Sequence, residues 1–285
     1  MRRAGAGIGL SGAWLVAVAL HASGAHAHGD THARIAMLNQ RIAAEPDKVA
    51  WWLRRADLFR SHHQWAEAES DLARVRELTP DAKTWRLPLA RLRLDQGRPA
   101  DALAVLDPAS DAASQPDASD AVGLRLRAQA LSALGRYAEA AALQAARLAV
   151  LDAAEVGDYL DWAGDATRAG DVAMGLRALD AGMQRLGPLV VLQRRAVEIE
   201  QGQRHWPEAL ARLATLLQSS PRKEGLLLWR AQIERQADLP AQALASLAEA
   251  SAALDLLPPA PRTASAMTTL RAQIEAERQL FSSPN

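Results

Sequence analysis

The chain has 285 residues, with 33 basic side chains against 33 acidic ones, 7 His and no Cys. Its 63 alanines and 42 leucines far outnumber 12 aromatics, 8 of them Trp, which favours helices over strands rich in β-branched and aromatic residues. The level charge excludes bulk capture of nucleic acid or acidic membrane, and the lack of cysteine excludes a disulfide framework, a Cys zinc site, a thiol nucleophile and a lipidated cysteine anchor.

Met1 to Ala27 reads as a cleavable signal peptide. Arg2 and Arg3 form a basic start, Ile8 to Leu20 a mostly apolar run, and Ala25-His26-Ala27 the small-x-small cleavage pattern. The run reaches roughly 20 Å as a helix, short of the ~30 Å hydrocarbon core, so it predicts a leader rather than a permanent span. Gly7, Gly9 and Gly12 match G-x-G-x-x-G by spacing alone, with no strand before them. Cleavage removes two arginines and leaves a slightly acidic mature chain. With no further long apolar run, the expected location is periplasmic or secreted, without a membrane span.

Residues 28–48 read as a polar end followed by a capping helix, in which Ile35, Leu38 and Ile42 share one face. Repeats then organise the chain. Ala56, Ala90, Ala128, Ala163, Val197 and Ala231 form one series, and Ala68, Ala102, Ala140, Gly175, Ala209 and Ala243 follow it with the same intervals. Turn signals fall between the two series: His63, Gly97, Gly135, Gly170, Arg204 and Asp238. Six units result, 49–82, 83–116, 121–154, 156–189, 190–223 and 224–257, and each reads as two antiparallel helices. The small residues let the paired helices approach, while neighbouring large ones fill the gaps. Pro46, Pro80 and Pro221 follow second helices, because proline cannot continue the backbone hydrogen bonding. One pair buries too little apolar surface alone, so the units must stack.

Arg34 stands where complete units carry a small residue, as expected if no partner helix presses there. Pro108 to Asp120 is a polar Pro/Ser/Asp segment, read as an exposed loop and hinge. Beyond Pro258–Pro261 a final helix in 258–285 should turn Met267, Leu270 and Ile274 inward and pair Arg271 with Glu275 on its outer face.

The pattern Trp52-x3-Ala56-x2-Phe59, Trp65-x2-Ala68-x3-Leu72 and Pro80 resembles the tetratricopeptide repeat family, whose unit is a helix–turn–helix of about 34 residues. Gly135-x-Tyr137-x2-Ala140 and Trp206-x2-Ala209-x3-Leu213 with Pro221 repeat it, over roughly residues 31–257. The resemblance implies an all-α, right-handed α-solenoid of about six repeats with capping helices. Two departures stand out. Arg55, Arg127 and Arg230 replace the family's leucine, and the fourth unit carries Gly164, Gly170, Gly175 and Gly182, which should loosen it.

The family holds peptides and proteins on the face lined by first helices. Projected here, that face presents Arg91, Arg125, Gln129, Arg194, Arg195, Glu198, Trp229 and Arg235 as a partner-binding set. Guanidinium groups suit carboxylate capture, and Trp229 suits an aromatic anchor. The family's carboxylate clamp of Lys and Asn does not recur. No Walker A loop, H-E-x-x-H or G-x-S-x-G follows the leader, so neither catalysis nor a cofactor is expected. The reading is a non-catalytic binding scaffold or assembly factor of the cell envelope. Two rivals stand beside it. One is metal handling by a mature terminus beginning at His28, with His32 as a further ligand; the other is a regulatory subunit of an exported enzyme. His62, His63 and His205 read as solvated turn residues, and an exposed Trp51, Trp85 or Trp162 would mark a contact surface.

Overall fold

A computed structural model describes residues 31–79, 81–107, 120–258 and 265–281. The leader, His28, Pro80, residues 108–119 and the segment 259–264 lie outside the described residues. Within them the chain forms fourteen α-helices and no strand. It divides into two compact units, Met1–Asp117 and Ala118–Asn285.

The first unit holds α1 (31–44), α2 (Val49–Ser61), α3 (Trp65–Leu78), α4 (Ala82–Asp95) and α5 (Pro99–Leu106). Ala56, Ala68, Leu72 and Leu92 form one core, with Phe59 and Trp65 against it; Leu38, Ile42 and Trp51 join α1 to α2 in another. The second unit begins with α6 (Ala121–Ala133), α7 (Tyr137–Val150), α8 (Val156–Arg168) and α9 (Val172–Leu186). It continues through α10 (Val190–Gly202), α11 (Trp206–Ser219), α12 (Glu224–Gln236), α13 (Pro240–Asp255) and α14 (Ser265–Gln279). Each unit is an all-α helical repeat, in which successive helices pack as antiparallel pairs.

Both small-residue series are buried along their whole length, at the crossings where paired helices come closest. The six turn residues share one backbone state. Gly97, Gly135 and Gly170 have φ of 71°, 75° and 86°, and His63, Arg204 and Asp238 have 58°, 59° and 60°. In each turn the next amide donates back to the carbonyl five residues earlier, as in Arg136 N to Leu131 O at 2.9 Å and His205 N to Glu200 O at 2.9 Å. This left-handed closure satisfies helix-end carbonyls and reverses the chain, and only glycine adopts it without a steric penalty.

The fourth unit's glycines do more than loosen it. A Cβ on Gly182 would lie 2.8 Å from the Tyr159 ring and 3.0 Å from Leu192 Cδ1, so glycine is what lets α9 press on α8 and α10. At Gly175 a Cβ would meet Thr167 Oγ1 at 2.6 Å and the Ala163 carbonyl at 3.2 Å.

The arginines in leucine places have partners. Arg55 donates two hydrogen bonds to Asp71, at 2.8 and 2.7 Å, and a third to Asn39. Arg230 makes the corresponding reach from α12 to Ser246 at 2.8 Å and to Glu249 at 2.7 Å. At the tail, Ile274 is fully buried, with Met267 and Leu270 packed on the same core. The expected Arg271–Glu275 pair is not what forms. Arg271 reaches back to Asp255 at 2.7 Å, and Glu275 pairs with Arg278, because a charge on the neighbouring helix lies within reach.

Candidate functional site

In the second unit the first helices of successive pairs are α6, α8, α10 and α12, and they carry all the expected binding residues except Arg91. Arg91 is exposed on α4, in the other unit. Arg125, Gln129, Arg194, Glu198 and Arg235 are exposed, whereas Arg195 and Trp229 are half-buried.

Two groups emerge within that row. The first lies where α6, α8 and α10 line a cleft of about 680 Å³. Gln129 and Arg195 face it from the expected set; Ser132, Asp161, Asp165 and Arg168 were not anticipated. Asp165 is buried and accepts from Ser132 Oγ at 2.6 Å and Gln144 Nε2 at 2.7 Å, with Arg168 at 3.2 Å. Asp161 makes no such bonds among the described residues. Asp161 is exposed, and partial desolvation of its carboxyl in the cleft raises its pKa above the ordinary range, against the nearby Arg125 charge that favours ionisation. The cleft thus offers a carboxylate with open acceptor capacity beside fixed amide and guanidinium donors.

On the same helix as Asp161 and Asp165, Asp158 ties α8 to α7. It accepts from Arg147 Nη1 at 2.9 Å and from the Glu155 amide at 2.9 Å, with both side chains of the ion pair almost fully buried. Burial raises its pKa, but those two hydrogen bonds outweigh it and hold the carboxyl below the ordinary range.

The second group joins α10 to α12. The Arg194 guanidinium lies 5.5 Å from the Trp229 ring centroid, and Trp229 Nε1 donates to Gln201 Oε1 at 2.8 Å. The indole is therefore held by its polar edge and capped by a cation. A second cleft, of about 540 Å³, runs from Trp229 and Gln232 to Leu270 and Glu277 on α14. Arg195 and Arg235 are committed internally, to Glu198 at 3.1 Å and to Glu277 respectively. Hence the expected residues differ in what they can offer: Arg125 and Arg194 make no ion pair among the described residues, while Arg195 and Arg235 already neutralise a carboxylate.

The missed residues had one legible signal. Ser132 and Asp165 are 33 residues apart, close to one repeat length, so side chains near equivalent places on adjacent first helices meet. Gln201 and Gln236, at 35, do the same. Among the described residues no three His, Asp or Glu side chains gather as a metal site; His62 instead meets Thr31 Oγ1 at 3.0 Å. Trp51 is buried, and Trp85 and Trp162 are half-buried, so none of the three is an exposed marker.

The family model that matches residues 59–124 is that of the tetratricopeptide repeat. That match covers less than half of the chain, and the buried small-residue series and left-handed turns continue the same helix-pair plan outside it. Among solved structures, its fold is similar to a tetratricopeptide repeat protein from Parabacteroides merdae, with a TM-score of 0.50, 15% identity, and 87% of this chain aligned to 93% of that one. A likeness also extends to the Cut9–Hcn1 assembly of the APC/C, at a TM-score of 0.47 and 12% identity over 90% of this chain, which spans only 48% of the chain it matches there. YrrB, described as having an unusual peptide-binding site, aligns at a TM-score of 0.42 and 12% identity, over 76% of this chain and 91% of its own. No curated protein sequence matches the chain. At such identities the likeness concerns fold. None of the described helices is long and apolar enough to cross a membrane.

Proposed function

We propose that the chain is an exported, non-catalytic scaffold that grips a partner protein's segment along the first helices of its second unit. The observation that carries this reading is the pairing of Arg194 with Trp229 on one side and the open Asp161–Gln129 cleft on the other. One supplies an aromatic anchor with a cation beside it; the other supplies hydrogen-bonding groups that fix backbone or side-chain register. The cleft supports binding rather than turnover. Its buried carboxylate Asp165 is occupied by the Ser132, Gln144 and Arg168 donors, which fix it in place.

Export rests on the basic, apolar and small-x-small segments of residues 1–27. Cell fractionation with N-terminal sequencing tests it: a mature chain starting at His28 in the envelope is expected, and an intact chain in the cytoplasm would refute export. For the binding face, crosslinking in intact envelopes is compared between the parent and an Arg125→Glu/Arg194→Glu variant. One partner held by the parent and lost by the variant is expected. A partner held equally by both would remove the α6–α12 face from the reading.

A further inference from the structure

The first unit contains a separate cleft of about 510 Å³ between α1 and α2. Arg34, Met37, Leu38 and Arg41 line it from α1, and Trp51, Arg54, Asp57, Leu58 and Ser61 from α2. On α1 these residues recur at i, i+3, i+4 and i+7, one continuous helical face. The floor is apolar: Leu38 and Trp51 are buried, and Met37, at the lip, is 47% exposed.

Charge on the rim is predominantly positive, with three arginines beside one acid, Asp57. Arg41 and Arg54 hold their guanidinium carbons 4.6 and 5.1 Å from the centroid of Trp51, and Lys48 lies 5.2 Å from the same ring. Arg34, Arg41 and Arg54 make no ion pair among the described residues. The acids nearby are already committed. Asp57 accepts from Arg60 at 2.7 Å, and Glu45 accepts from Trp51 Nε1 at 2.6 Å and from Lys48 at 3.3 Å. Arg41 and Arg54 are thus held over an apolar floor without an ion-paired anion, and Arg34 stands exposed beside them.

The place of the cleft in the repeat explains why it is open. First helices of neighbouring pairs touch, as α2 touches α4 and α8 touches α10. Helix α1 precedes α2 as α3 precedes α4, so it stands as a second helix, and no first helix precedes it among the described residues. Arg34 occupies its small-residue position, where an internal partner would exclude a long side chain. The open face is the seat such a helix would take. Residues 1–30 do not match it in charge, since they contain Arg2 and Arg3 but Asp30 as their sole acid.

We infer that this cleft docks an amphipathic helix of a partner protein that carries carboxylates flanking an apolar stripe. The stripe lies on Met37, Leu38 and Trp51, completing the repeat, while the carboxylates meet Arg34, Arg41 and Arg54. The Arg41 and Arg54 guanidiniums are held against Trp51 before binding, which lowers their ordering cost. The site is independent of the α6–α12 face, and either can fail without the other.

The test uses the full chain as cells produce it and a fluorescein-labelled helical peptide of about four turns, with leucines on one face and glutamates beside them. Fluorescence anisotropy is read against the same peptide with glutamine for glutamate, against single-stranded oligo(dT), and with two variants. Binding of the glutamate peptide that weakens with salt is expected. It should fall at least about tenfold for the glutamine peptide and for Arg34→Glu/Arg54→Glu, and return in Arg34→Lys/Arg54→Lys. The inference is overturned by absent binding, by equal affinity for the glutamine peptide, or by equal affinity of the glutamate variant with unchanged circular dichroism. Stronger binding of oligo(dT) at the same arginines would likewise reject it, in favour of a nucleic-acid groove.

Discussion

The pairs α2–α3 and α8–α9 are built to one plan and held by different means. Both cross at buried small residues, Ala56 with Ala68 and Ala163 with Gly175. In α2–α3 one polar link is internal, Arg55 of one helix to Asp71 of the other, while Arg55 also reaches Asn39 on α1 and Arg60 and Glu69 pair with Asp95 and Arg93 on α4. In α8–α9 the polar links point outward: Asp158 to Arg147 on α7, and Asp165 to Ser132 on α6 and Gln144 on α7. Closeness within that pair comes from the missing Cβ of Gly175 and, beside Tyr159, of Gly182. A repeat can therefore spend its polar side chains on itself or on its neighbour, because helix-pair geometry depends on the small residues alone. Both pairs are coupled to their neighbours, but only α2–α3 also carries a polar link across its own crossing.

Breaking the outward link should give the largest effect. Asp158→Ala leaves Arg147 buried without its carboxylate, at a cost of about 3–5 kcal/mol. Thermal unfolding measures the loss, and hydrogen exchange should locate it in both α7 and α8; exchange confined to α8 would contradict the coupling. Acid should act on the same bond. The folded pKa of Asp158 lies below its ordinary 3.8, so its contribution is complete above that pH and is lost as the pH falls through the lower, folded value. The parent's stability should drop more steeply below pH 3.8 than that of Asp158→Ala.

The internal link should cost less. Arg55→Leu, which restores the residue usual in the family, strands the buried Asp71 at about 2 kcal/mol, whereas Arg55→Leu/Asp71→Leu should come close to the parent. Exchange should rise in α2 and α3 without spreading to α7 or α8. Next, Gly182→Ala gains intrinsic helix propensity of ~1 kcal/mol but forces a methyl onto a buried ring, for a net loss of about 1 kcal/mol in a melting experiment. A gain in melting temperature would mean that the glycine only loosens α9.

The smallest change reverses the sign. Replacing His63, Arg204 or Asp238 with glycine relieves left-handed strain and should stabilise by about 0.5–1 kcal/mol each, read as a small rise in melting temperature. Unchanged or lower values would imply that these side chains hold their turns by contacts of their own.

Helix pairing, turn positions and the buried small series were legible in the sequence, because repetition multiplies a weak local signal. The turn residues illustrate this: His63 and Arg204 are poor turn formers taken singly, but they fall in register with Gly97, Gly135, Gly170 and Asp238. The exposed faces of the first helices were legible too, since a helical period fixes which residues share a side. What each exposed side chain is free to do was not. Arg125 and Arg195 look alike in sequence, yet one stands open and the other is tied to Glu198.

The sequence by itself determined an all-α chain of paired helices, the places where they cross and the residues that reverse them, since these depend on periodicity, side-chain volume and backbone conformation within about one repeat. Only the tertiary structure decided which charges are spent and which remain available. Arg271 chose Asp255 over its own helix, Asp165 filled its acceptors from two other helices, and Arg34, Arg41 and Arg54 stayed without an ion pair. Ion pairs and hydrogen bonds are settled by distances between helices, and those distances are fixed only once the helices have packed.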